Sequence, residues 1–193
     1  MAYSYELTDE EKQELLRIAR ATLMEFTERG LIPPGKPHRK SLVEEAAVFV
    51  TLRVNGELRG CVGTDQENRP IYRAVQEMAV AAASRDSRFE PITEDELDDL
   101  TIEISVLGAR TQIQSTDEIT IGTHGLTIEH GDKAGLLLPQ VAVEGGWSAE
   151  AFVQNLCKKA GLPGDAWRDS ASCLSQFTAQ VFDEITYRPP KTR

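Results

Sequence analysis

An Asn-Gly pair at residues 55–56 sits between the β-branched, apolar run AAVFVTLRV and the segment ELRGCVG. Few dipeptides constrain a chain so tightly. A two-residue turn that needs positive φ at both positions closes most readily on Asn-Gly, so the two runs form a β-hairpin. With a regular ladder, Val54 faces Glu57, Leu52 faces Arg59 and Val50 faces Cys61. Arg59 and Cys61 then share a face with Leu52 and Val50, while Leu58 and Val62 join Phe49 on the other. Both faces carry apolar residues, which predicts a hairpin inside the fold.

That register sets a chemical demand. A guanidinium on a largely apolar face needs an anion, because an unpaired buried charge is very costly. Glu103, Asp86 and Glu144 are the candidates within the chain. An arginine beside Cys61 makes the thiol a candidate nucleophile. Free cysteine also serves as a small buried apolar residue, and Cys157, on the inner side of a helical pattern, reads that way. Nothing around Cys173 suggests activation.

The remaining elements follow from local signals. Thr8 and Glu11 form a capping box ahead of Leu15, Ile18, Leu23 and Phe26, and Gly30 closes that helix. LIPPGKPHRK is an irregular connector. Pro70 opens a second helix with Ile71, Val75, Met78, Ala79 and Ala82 on one face. Thr93 and Glu96 cap a short acidic turn before the strand LTIEISVLG. Short glycine-punctuated strands follow from about Ile113, then a helix capped by Ser148 and a last strand, SQFTAQVFDEIT. The fold class is α+β: mostly antiparallel sheet with packed helices, in a larger and a smaller lobe with a cleft between them. The larger lobe takes residues 1–110 and 172–193, the smaller 111–171.

Composition narrows the function. Lys plus Arg number 21 against 31 Asp plus Glu, a formal charge of −10, and such a field repels phosphate backbones. No apolar run is long enough to cross a bilayer and the N-terminus has no signal-like core, so a cytoplasmic protein is expected. Three widely spaced cysteines suit reduced thiols rather than a disulfide framework, and no Cys/His cluster has metal-ligand spacing. His124, between Gly122 and Gly125, is a candidate acid–base group at a tight turn, or a solvated turn histidine. His38 and His130 read as loop residues. Asp86 and Arg88 in SRDSRFEP read as an exposed ion pair. RGCVGT offers backbone N–H groups to an anion but lacks the P-loop lysine and the dinucleotide glycine pattern.

Taken together, GELRGCVGT, AVAAASRDSRFEPITEDELDDLTIEISVL, GTHGLTIEHGDKAGLLLPQVAVEGGW and FVQNLCKKAGLPGDAW resemble the AMMECR family, whose signature is LRGC-[IV]-G. The blocks run in family order over roughly residues 46–168. Val62 stands where isoleucine is commoner, a conservative change. The resemblance implies an α+β fold of two lobes with the LRGC segment near their cleft. Carried over position by position, the motif residues are Arg59, Gly60, Cys61 and Gly63; Asp86, Arg88 and Phe89; and His124, Gln140 and Glu144. It also implies association with Memo-like and radical-SAM proteins, without assigning a reaction or a cofactor.

Two functional expectations follow, with a third behind them. In the first, the cleft binds a small anionic ligand or a partner segment, with Arg59 and Arg88 as anion receptors and Gly60, Gly63, Asp86, Gln140 and Glu144 lining it. In the second, the protein is an enzyme with Cys61 as nucleophile or redox thiol beside Arg59 and His124. A nucleic-acid-related regulator is the third, disfavoured by the acidic charge. No metal site is expected.

Overall fold

The computed structural model describes residues 6–35 and 37–187. The chain divides into two compact units: residues up to Leu107 together with those from Gln180 onward, and Gly108–Ala179. Each combines helices with antiparallel strands, and the expected α+β class holds.

In the first unit, helix α1 (Asp9–Arg29) begins at the capping box read from the sequence. The Glu11 N–H donates to the Thr8 hydroxyl, and the Thr8 N–H to the Glu11 carboxylate at 2.8 Å. Gly30, at φ 70°, closes it in the left-handed conformation. The connector after it is pinned by Gln76 and by two glutamates of α1. Gln76 donates to the Pro33 carbonyl at 3.0 Å, Glu14 accepts the His38 N–H at 2.6 Å, and the Ser41 hydroxyl meets Glu11.

Strands β1 (Val48–Val54) and β2 (Glu57–Thr64) form the hairpin, with Asn55 and Gly56 both at positive φ. Helix α2 (Ile71–Ser84) and strand β3 (Leu100–Leu107) complete the frame, in the strand order β2-β1-β3. One sheet face carries Val48, Val50, Leu52, Ile102 and Ile104. With Leu15 and Leu23 of α1 and Ile71, Val75 and Ala79 of α2, these form a buried core.

The hairpin departs from a regular ladder. Val54 faces Glu57 and Arg53 faces Leu58, but the register then shifts, so that Leu52 faces Gly60, Thr51 faces Cys61 and Val50 faces Val62. The expected pairs Leu52–Arg59 and Val50–Cys61 are therefore replaced. The unshifted register would press Arg59 into the helix-packed core opposite Leu52. The bulge takes up Arg59 and places Gly60 there, where a Cβ would collide with the Ala82 carbonyl of α2. β2 is also the outer strand of this sheet and only Gly60 in it is buried, so this half of the hairpin is not enclosed.

The second unit holds β4 (Thr111–Gln112), β5 (His124–His130), β6 (Lys133–Leu137), the part of β7 (Ser172–Asp183) that ends at Ala179, and helices α3 (Pro139–Glu144) and α4 (Ala149–Lys159). β5 lies between β6 and β7, and β4 pairs with β7. Ser148 caps α4, and Phe152, Val153, Leu156 and Cys157 pack from it onto Leu126, Ile128, Leu137 and Leu174. Cys157 is core, as its position predicts, and burial pushes its thiol pKa up.

Candidate functional site

The bulge decides what surrounds Cys61. Directly opposed residues share a face, so one row across the sheet reads Cys61, Thr51, Glu103 and the next Gly63, Phe49, Ser105. This is the face opposite the helix-packed core. Cys61 thus belongs to a row of polar side chains, not to the Val50–Leu52 face expected from a regular ladder.

Arg59 finds its anion elsewhere than expected. Its Nε donates to Glu96 Oε1 at 2.6 Å and its Nη2 to Oε2 at 3.0 Å, a two-point fork. Nη1 donates to the Glu90 carbonyl at 2.6 Å. The partner is neither Glu103, nor Asp86, nor Glu144. Glu96 is readable from sequence as the capping partner of Thr93, whose N–H it accepts at 2.9 Å. The same carboxylate serves both tasks, and the Arg59 guanidinium holds it below its ordinary pKa. Arg59 is a clamp between β2 and the segment 90–96.

Asp86 and Arg88 are not a simple exposed pair. The Asp86 side chain is only 6% exposed. Its Oδ2 accepts the Cys61 N–H at 2.8 Å and Arg88 Nη2 at 2.7 Å, while Oδ1 accepts Arg88 Nε at 2.9 Å. An outward N–H of the edge strand is thereby satisfied. The Arg88 fork holds the Asp86 carboxyl well below the usual carboxylate range, against the opposing effect of burial. Arg88 itself is 55% exposed and rests over the Phe89 ring at 5.3 Å. Its pKa is raised, first by the hydrogen bonds to Asp86 and then by the charge of that carboxylate. Its Nη1 has no acceptor among the described residues.

The Cys61 sulfur, half-buried, accepts the Thr51 hydroxyl at 3.3 Å, and Thr51 is 7% exposed. Gly63 lies beneath the Phe49 ring, where a Cβ would overlap the ring carbons. Each residue of RGCVG except Val62 has a specific contact, and Val62 packs against the core.

His124, Gln140 and Glu144 belong to the second unit. His124 opens β5, and its Nδ1 accepts the Thr120 N–H at 3.1 Å. That nitrogen closes the turn Thr120–His124, leaving Nε2 as the ring's other polar atom. Gln140 lies in the first turn of α3, partly buried, and Glu144 is its exposed last residue. Within the first unit, the residues gathered around Cys61 are Thr51, Asp86 and Arg88, with Arg59 and the two glycines fixing the strand. Thr51 escaped the sequence reading because only the bulge brings it opposite Cys61. Among the described residues no cluster of three or more His, Cys, Asp or Glu could hold a metal ion, and no helix is long and apolar enough to cross a membrane.

Comparison with known proteins agrees with the motif. A protein of Thermococcus gammatolerans is 40% identical over 98% of both chains, and protein MK0488 of Methanopyrus kandleri is 39% identical over 92% of this chain and 90% of its own. The crystal structure of the uncharacterized protein PH0010 from Pyrococcus horikoshii superposes with a TM-score of 0.90 at 38% identity, covering 96% of this chain and 97% of that one. The AMMECR1 family profile matches residues 16–182. The chain belongs to the AMMECR1 family.

Proposed function

We propose that the protein binds a small anionic ligand at Cys61, with Arg88 as the receiving cation. The observation that carries this reading is the Asp86–Arg88 fork. A buried carboxylate holds Nε and Nη2 of a half-exposed guanidinium close to the thiol and leaves Nη1 for an incoming acceptor. Arg59, whose charge is committed to Glu96, has a purely structural part. In this reading the chemistry belongs to a partner, for which the Memo-like and radical-SAM proteins implied by the resemblance are the candidates.

Orthophosphate and citrate are suitable probes. Either anion, bound at Arg88, should slow alkylation of Cys61 by iodoacetamide while leaving Cys173 unaffected, and Arg88→Gln should abolish the protection. Equal protection in wild type and Arg88→Gln would refute the assignment.

A second reading makes Cys61 a nucleophile. It is favoured by the Thr51 hydroxyl donating to the sulfur. Cys61→Ala and Cys61→Ser separate the two: cellular function retained in both rules out the nucleophile, whereas loss in folded variants supports it.

A further inference from the structure

Thr51 has a side chain that its strand position does not require. It lies in the middle strand of β2-β1-β3, 7% exposed, on the polar face between Cys61 and Glu103. A buried strand position accepts valine as readily as threonine, and valine would need no hydrogen-bond partner. The hydroxyl present there donates to Cys61 Sγ at 3.3 Å. The alignment depends on the bulge at Arg59, since in the unshifted register Thr51 would not face Cys61.

We propose that Thr51 is the positioning residue of the Cys61 thiol: its hydroxyl fixes the sulfur's direction and stabilises the thiolate by an O–H···S hydrogen bond. This rests on reading Cys61 as the centre of the site. A hydrogen bond to the ionised form favours that form. The charged groups around the sulfur are Arg88 and Asp86 from the segment after α2, Glu103 beyond Thr51 on β3, and Arg53 two residues along the same face of β1.

The test is the pH–rate profile of iodoacetamide alkylation at the Cys61 peptide, in Thr51→Val and Thr51→Ser. Thr51→Val should move the profile to higher pH and slow the reaction near neutrality about five-fold, as expected for losing one hydrogen bond. Thr51→Ser, which keeps the hydroxyl, should stay close to wild type. Thr51→Ala provides a second folded variant without the hydroxyl and should shift in the same direction. A Thr51→Val or Thr51→Ala profile that superposes on wild type overturns the role of Thr51. The anion reading is scored separately, by citrate protection in the same samples. Protection intact without a profile shift defeats Thr51 alone, and a shift without protection defeats the anion site alone.

Discussion

Arg59 and Glu96 meet in two parallel hydrogen bonds, 2.6 and 3.0 Å long, with side chains 19% and 26% exposed. The arginine of the LRGC motif is thus neutralised inside its own unit. Glu96 in turn is held by Thr93, so one carboxylate joins the edge strand to the turn before β3.

Removing one partner should therefore cost stability rather than reactivity. Arg59→Met should lower unfolding stability by about 2 kcal/mol, since it leaves Glu96 and the carbonyls of Glu90 and Pro91 short of a donor. Arg59→Met with Glu96→Gln should recover part of that loss, a coupling visible in urea midpoints at unchanged slope. Citrate protection of Cys61 should persist in the folded variants.

The two motif glycines should fail in different ways. Gly60→Ala drives a methyl into the Ala82 backbone carbonyl, which cannot rotate aside, and should cost about 3 kcal/mol. Gly63→Ala meets the Phe49 ring first. Trimming that ring with Phe49→Leu should restore much of the stability lost in Gly63→Ala and none of that lost in Gly60→Ala, as read by thermal unfolding.

Acid should loosen the strand edge. Asp86 and Glu96 both have folded pKa values depressed by their arginines. Their contribution is complete above the unfolded carboxylate values of about 4. It falls as pH drops below that range and is lost once the folded groups are protonated. Asp86→Asn should flatten the acid limb of a stability–pH curve between about pH 5 and pH 2, while leaving its slope near neutrality unchanged.

How far the sequence foretold this arrangement depends on the range of the forces involved. The turn at Asn55-Gly56 and the caps at Thr8, Thr93 and Ser148 are local devices, and each is found where its residues put it. The register beyond Arg53 is not local. It answers to the close approach of α2 at Ala82, which no pattern within the hairpin encodes, and so Cys61 changes face. The partner of Arg59 is hidden for a related reason: capping Thr93 accounts for Glu96 locally, and its second use comes only from the tertiary approach of β2. Asp86 looked like half of a surface pair because nothing in SRDSRFEP reveals the Cys61 N–H that it accepts.

An anion site at Arg88 should show itself as a preference of Cys61 for a negatively charged reagent. Alkylation rates with iodoacetate and with iodoacetamide, read at the Cys61 peptide, give a ratio to compare with that of N-acetylcysteine. The formal charge of −10 repels iodoacetate from the protein as a whole, so a local attraction must overcome that background. If Arg88 receives anions beside the thiol, the ratio at Cys61 should exceed the N-acetylcysteine value about five-fold at low salt and collapse in Arg88→Gln but not in Arg59→Gln. A wild-type ratio at or below that of N-acetylcysteine would contradict the anion site.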